Sequence, residues 1–247
     1  MTDAGYDPIA EQYIRTNMKP DKRFSIAPTI LKMVGIVRNK TILDAGCGNG
    51  IFTRTLACDA WDVYGWDVSG QQLRIAKEMT PLTWPNVHYQ EKNIFTDELP
   101  RVDIINAPFV INYARSVEEL EQLMVRCYAA LKSRGKLVGV VDLPSGQNLG
   151  RYGAKKRLLG PAEDGTPIEI TVFDSGGEEI CTLPSLARYY KKETLEVAAR
   201  KAGFSVSWQP PLVHPKGIEM YGAEFWKGYT DNPELGYMLA RKSRPPE

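Results

Sequence analysis

Three glycines at alternate positions, Gly46, Gly48 and Gly50, follow a carboxylate, Asp44, that closes the short apolar run TILDA. Side chains are unwelcome where a ligand lies against the backbone, so the run marks a turn shaped for a nucleotide-like guest. A second carboxylate, Asp67, closes the next apolar run, WDVYGWD. An acid at that place can take both hydroxyls of a ribose. Spacing separates the candidates. A phosphate loop requires GxxxxGK[ST], and no lysine follows Gly50. A dinucleotide loop requires GxGxxG, whose third glycine lets a helix N-terminus meet a pyrophosphate. Here the spacing is GxGxG. Asp67 by itself does not discriminate, because dinucleotide folds place an acid there too.

The run DAGCGNG resembles motif I of the class I S-adenosylmethionine-dependent methyltransferases, [DE]xGxGxG. The resemblance implies S-adenosylmethionine as cofactor. Asp44 would accept bonds from its ammonium, directly or through water. Ala45, Gly46, Cys47 and Gly48 would lie along it, and Asp67 would hold the ribose. WDVYGWDVSGQQLRIAKE looks like the second motif, with Val68 and Gln72 beside the adenine. YQEKNIF looks like the third, with Asn93 and Ile94 at the adenine and Asn93 where the family often has Asp. The flanks YDPIAEQYIRT, RFSIAPTILKMVG and GIEMYGAEFWKGYTDNP resemble the small-molecule branch that includes toxoflavin-synthase-like N-methyltransferases. That likeness implies Tyr13 over the cofactor and Arg23 at its carboxylate.

The acceptor side is less legible. NAPF, Asn106 to Phe109, ends a strand where amide and adenine methyltransferases carry [DNS]PP[YFW]. Ala107 replaces the first proline, and no basic, aromatic-interleaved groove accompanies it. Asn106 is expected at the cofactor, with Phe109 facing the acceptor. A base is needed only where the accepting atom must lose a proton; the candidates are Tyr113 and His214, the latter also readable as an exposed loop residue. Tyr113, Tyr152, Phe173 and Tyr189 are the aromatic candidates for the acceptor pocket, with Trp208 and Trp226 as further ones that equally suit a core. His88 lies inside a strand and reads as structural. The cluster Lys155, Lys156, Arg157 reads as a solvated loop, with an anionic acceptor as the alternative. The function expected is methyl transfer to a small heteroaromatic or secondary-metabolite nitrogen, oxygen or carbon. The alternatives are a protein or nucleic-acid N-methyltransferase, a silent cofactor-binding subunit and, last, a dehydrogenase.

These residues need strand ends to hold them. KTILDA, WDVYGWD, NVHYQEKN, RVDIINAPF and GKLVGVVDL read as strands, alternating with helices GIFTRTLAC, SGQQLRIAKEM and VEELEQLMVRCYAALK. Ser69 and Ser116 are the expected N-caps of the last two. Tyr6, Ile9, Ala10, Tyr13 and Ile14 recur at helical spacing, and a second helix opens at Pro28 and stops at Gly35. Residues 144–188 break the rhythm and contain a hairpin, IEITVFDSGGEEICTL, read as a lid. Helix KKETLEVAARKAG and strands FSVSWQP and GYMLARK then resume it. The expected fold class is α/β: a doubly wound, mostly parallel seven-stranded Rossmann-like methyltransferase sheet. It is read as one domain over 1–247: a helical cap over 1–39, a cofactor core over 40–143, the lid, and a completing segment over 189–247.

Composition bounds the rest. Across 247 residues, Lys and Arg number 31 against 30 Asp and Glu, a net charge of +1 that gives no general pull on nucleic acid. Four scattered cysteines without a CxxC pair suit reduced thiols, and MTDAGYDPIAEQY carries no basic-then-apolar leader, so a cytoplasmic setting is expected. No apolar run reaches the length of a membrane span. Two histidines make a histidine-based metal site an unpromising reading. The expected partner is a small-molecule substrate, and association as a homodimer is left open.

Overall fold

The computed structural model describes residues 5–146, 149–183, 186–231 and 233–242. The N-terminal segment holds α1 (Ala10–Tyr13) between two 3-10 turns, Asp7–Ile9 and Ile14–Met18. A π-helical turn, Lys22–Ile26, then leads into α2 (Ala27–Val34). The core follows as β1 (Thr41–Ala45), α3 (Ile51–Ala57), β2 (Asp62–Asp67), α4 (Gly70–Glu78), β3 (Val87–Glu91), β4 (Val102–Pro108), α5 (Val117–Ala130) and β5 (Leu131–Asp142). Next come β6 (Ala154–Leu158), β7 (Ile168–Phe173) and β8 (Glu179–Thr182). The chain closes with α6 (Lys192–Lys201), β9 (Phe204–Gln209), α7 (Pro215–Tyr221), α8 (Ala223–Asp231) and β10 (Leu235–Lys242).

Seven strands form one sheet in the order β3-β2-β1-β4-β5-β10-β9, parallel except for β10, which runs antiparallel to both its neighbours. The strand order reverses between β1 and β4, so the loops after these two strands open a crevice at their carboxyl ends. Successive strand residues feed opposite faces. Leu43, Ile105 and Leu137 pack with Leu120 and Leu195 on one side. Ile42, Ile104 and Val138 pack with Ile30 and Phe52 on the other. The doubly wound α/β sheet expected from the strand and helix alternation is the sheet observed.

The expected caps are present. Ser69 Oγ accepts from Gln72 N at 3.1 Å and Ser116 Oγ from Glu119 N at 3.3 Å. Gly35 ends α2 with φ +65°, a conformation other residues resist.

Three local expectations change. The N-terminal stretch is not one amphipathic helix. Pro8 supplies no amide hydrogen, and the Thr16 hydroxyl donates to Tyr13 O at 2.7 Å, competing with the backbone for that carbonyl. The KKR cluster is not a solvated loop. It lies in β6, which joins the hairpin strands in a three-stranded antiparallel sheet, β6-β7-β8. Along β6 burial alternates, so Lys156 turns inward while Lys155 and Arg157 face out. Last, the tail beyond β9 forms α7 and α8. Their aromatic residues hid the helical period, because Tyr221, Phe225, Trp226 and Tyr229 pack on Tyr152 and Phe24 instead of on the main sheet.

Among the described residues no helix is long and apolar enough to cross a membrane. Leu120, fully buried between α5 and the sheet, tests the layer. Leu120→Ala should cost about 2–5 kcal/mol in urea titration with an unchanged slope.

Candidate active site

The glycine loop turns between β1 and α3. Gly46, Gly48 and Gly50 take φ of +63°, +53° and +77°. Two of them are required by the protein's own packing. A Cβ on Gly46 would stand 2.4 Å from Val110 Cγ2, and one on Gly50 would stand 2.2 Å from the Tyr89 hydroxyl. Gly48 differs: a Cβ there would meet only Gln72 Oε1, at an ordinary contact distance of 3.7 Å. Cys47 N donates to Trp66 O at 2.9 Å, tying the loop to the end of β2.

Asp44 is fully buried beneath the loop. One carboxylate oxygen accepts from Thr53 Oγ1 at 2.6 Å and the other from Asn106 Nδ2 at 2.8 Å. Burial raises its carboxyl to about 6, while these two bonds pull the other way. Asp44 therefore clamps β1, α3 and β4 together, with one bond on each carboxylate oxygen. Asn106 sits opposite Asp44 in the sheet register, fully buried. Its Oδ1 has no partner in this structure.

Asp67 stands where the expectation placed it, half-buried at the end of β2. Gly48 N donates to one oxygen at 2.8 Å and Ser69 N to the other at 2.9 Å. Those bonds fix the carboxylate and leave acceptor capacity on both oxygens. Its pKa is raised, first by desolvation. Gln72, on α4 and buried, points its amide at Gly48, and neither amide end has a partner. Asn17 Nδ2 donates to Asn49 Oδ1 at 3.1 Å, while Asn17 Oδ1 is buried and unpaired. A bare glycine, a fixed carboxylate and an orphaned amide around one space are the donor set for an adenosyl group, so these residues fit S-adenosylmethionine. Val68 and Ile94 are apolar neighbours on the two flanking loops, half-buried and buried. Asn93 serves its own loop: its Oδ1 accepts from Phe95 N at 2.9 Å and its N donates to Asp97 at 2.7 Å.

Beyond the strand ends lies a partly open cavity whose enclosed part is small, about 60 Å³. Tyr6, Tyr13 and Lys22 reach it from the N-terminal segment, Phe109 and Tyr113 from beyond β4, Asp142 from the end of β5, and Lys156, Ile170 and Val172 from the small sheet. Tyr6 and Tyr113 share a short hydroxyl–hydroxyl bond of 2.5 Å, and Tyr6 meets Tyr13 edge to face at 5.3 Å. Lys156 Nζ sits 2.7 Å from Asp142 Oδ1 in a buried ion pair. Phe109 holds φ +62°, a strained conformation for a residue with a side chain, and its amide donates to Val140 O at 2.8 Å.

Phe109 and Tyr113 line the cavity, and so does Tyr13, expected over the cofactor. The other candidates do not line it. Arg23 is exposed, its guanidinium against the Phe24 ring at 4.9 Å; the π-helical turn directs its neighbour Lys22 inward instead. His214 is exposed and caps α7, its Nδ1 accepting from Lys216 N at 3.2 Å. Tyr152 is locked in the aromatic cluster, its hydroxyl donating to Phe225 O at 2.6 Å. Trp226 packs in the same cluster. Trp208 bonds Glu196 at 2.7 Å and His88 bonds Asp62 at 2.9 Å, both away from the cavity. Phe173 ends β7, and Tyr189 packs behind the small sheet. Tyr113 is ill suited as a base, because burial holds its phenol well above the ordinary range. Tyr6, Lys22 and Asp142 are not among the sequence-derived site candidates, and Lys156 enters only through the anionic-acceptor alternative for its cluster. Only the period-two exposure of AKKRL could have exposed Lys156 as an inward residue.

Two outcomes follow from this geometry. The folded chain holds the Asp44 proton more tightly than the unfolded chain does, since its carboxyl rises from 3.8 to about 6. Its contribution to stability is full below about pH 4 and falls by roughly 3 kcal/mol as pH climbs past about 6. Denaturant titration across that range should give a flatter profile for Asp44→Asn. At Phe109, the left-handed backbone makes Phe109→Gly more stable than Phe109→Ala by about 1 kcal/mol, read by thermal unfolding of the pair.

Residues 42–135 match the family model described as a methyltransferase domain. Over 139 residues the chain is 27% identical to the ubiquinone biosynthesis O-methyltransferase of Coxiella burnetii, covering 54% of this chain and 58% of that protein. Over 142 residues it is 28% identical to the demethylmenaquinone methyltransferase of Tropheryma whipplei, covering 54% and 55%. The matched part thus spans a little over half the length of these relatives. Among solved structures, the CcbJ methyltransferase of Streptomyces caelestis superposes with a TM-score of 0.68 at 17% identity over 98% of this chain and 99% of that one. An S-adenosylmethionine-dependent methyltransferase of Mesorhizobium loti superposes with 0.64 at 19% over 92% and 100%. The chain therefore has the Rossmann-like fold of the S-adenosylmethionine-dependent methyltransferases, with a methyltransferase domain matched across β1 to the first residues of β5.

Proposed function

We propose that this protein transfers a methyl group from S-adenosylmethionine to a small planar acceptor. The observation that carries the reading is the glycine loop: Gly48 N fixes the Asp67 carboxylate at the end of β2, and the buried Gln72 amide beside it has no partner. Tyrosines, lysines and apolar side chains line a partly open cavity beyond the strand ends. The matched methyltransferase domain supports the same assignment. The cofactor supplies a methyl group on a sulfonium sulfur that departs as a neutral thioether. The chain's part is to hold the acceptor in line and keep water away. Phe109 and Tyr13 provide faces for a flat acceptor, and the Tyr6–Tyr113 pair offers hydroxyls that stay protonated. For the accepting atom we propose nitrogen first, on the flanking likeness to toxoflavin-synthase-like enzymes. The quinone-pathway relatives make oxygen and carbon the second choices.

The cover formed by the N-terminal segment and the small sheet speaks against a polymeric acceptor. So does the full burial of Asn106, which keeps the NAPF asparagine beneath the strand ends.

Calorimetric titration is the test. S-adenosylhomocysteine should bind at micromolar concentration and NAD should not. Asp67→Ala should weaken S-adenosylhomocysteine by about 1–3 kcal/mol, since the ribose hydroxyls lose their acceptor. NAD binding without S-adenosylhomocysteine binding would overturn the proposal.

A further inference from the structure

The charges around the acceptor opening do not cancel. Lys19 Nζ lies 3.6 Å from Asp21, and Lys156 Nζ lies 2.7 Å from Asp142. Both pairs are buried. Lys22 is the third cation of the opening, and no carboxylate or other hydrogen-bond partner among the described residues meets its Nζ. Its nearest companion is the face of Tyr13, 5.4 Å from the ring centre. Lys22 is half-buried, and an ammonium drawn partly out of water with no ion-pair partner is relieved by losing the proton or by gaining an anion. The backbone reinforces the placement. Lys22 opens the π-helical turn, a widened turn that recurs at functional positions, and its own amide is fixed by Asp21 at 2.6 Å.

Resting on the methyl-transfer reading, we propose that Lys22 takes the proton of an acidic acceptor, a phenolic or enolic O–H or a heterocyclic N–H, and then holds the resulting anion for attack. The acceptor's X–H bond breaks and its proton passes to the neutral Nζ, giving an ammonium beside X⁻. The electron pair on X forms the bond to the methyl carbon as the carbon–sulfur pair returns to sulfur. The neutral methylated product no longer binds the ammonium, which returns its proton to solvent. No oxidant, reductant or further reactant is needed.

The surroundings make this cycle workable near neutrality. Burial, and next the charge of Lys19, lower the Lys22 amine to about 7, while Asp21 opposes the shift. The other titratable groups at the opening do not compete for the proton. Tyr6, Tyr13 and Tyr113 are held protonated by burial, and Asp142 is committed to Lys156. Lys22 is thus the one titrating group at the opening, among the described residues, that is both unpaired and able to exchange a proton near neutral pH.

The experiment uses the full chain loaded with S-adenosylhomocysteine, with 4-hydroxyacetophenone as a probe whose ionised form has its own absorption band. The pH is set between the Lys22 midpoint and the higher midpoint of the phenol. The wild type should bind the probe as phenolate without releasing a proton to buffer, measured by calorimetry in two buffers of different ionisation enthalpy. Lys22→Arg keeps the charge but has no proton to accept. It should bind the same phenolate and release about one proton per probe bound. Lys22→Met should bind about tenfold more weakly, with the probe neutral, while its affinity for S-adenosylhomocysteine stays unchanged. Equal proton release from wild type and Lys22→Arg overturns the base role. Loss of S-adenosylhomocysteine affinity in Lys22→Met overturns it as well, by assigning Lys22 to the cofactor, and so does failure of the wild type to take up the probe. Failure of the wild type to bind S-adenosylhomocysteine sinks the methyl-transfer reading instead, a separate readout.

Discussion

One buried carboxylate organises the crevice. Asp44 sits at the strand-order reversal, where β1 and β4 part and the crevice begins. Its two oxygens are bonded to Thr53 on α3 and Asn106 on β4, so three elements share one acceptor. A carboxylate placed so deep costs free energy when ionised, and its raised pKa registers that cost. What the cost secures is geometry. The glycine loop must turn above a fixed floor, and the neighbouring loop after β2 hangs from it through Cys47 and the Gly48–Asp67 bond.

A second layer is assembled from parts distant in the chain. Asp7 bonds the Ser69 hydroxyl and Gln71 N, Asn17 bonds Asn49, and Arg15 bonds Asp174 at 2.6 Å. Tyr6 and Tyr13 pack with the small sheet. The N-terminal segment therefore bridges the glycine loop, the start of α4 and the inserted sheet. The lysines of the opening come from this segment and from β6, not from the core sheet. The division is a physical one: the core supplies fixed backbone and carboxylates, and the covering pieces supply the lysines of the opening.

The sequence was readable where one rule decides the outcome. Alternating apolar strands, serine caps and the glycine spacing each follow from local geometry, and the sheet, its caps and the Asp67 position emerged as expected. It was less readable where direction depends on tertiary context. Asp44 and Asn106 are polar residues at strand ends, and only the neighbouring strand shows that they bond each other. Arg23 and Lys22 are adjacent cations, and an altered helical turn decides which one points inward. The KKR cluster has the composition of a loop but the alternation of a strand, and its pairing with β7 settles the matter. The aromatic residues misled most, because a second cluster under α7 and α8 absorbs Tyr152 and Trp226.

The N-terminal segment is also a door with one hinge for two rooms. Its residues touch both the loop that would hold the adenosyl group and the opening for the acceptor. A change at this short stretch would therefore be felt at both places at once, because the same residues hold bonds to the glycine loop and line the opening.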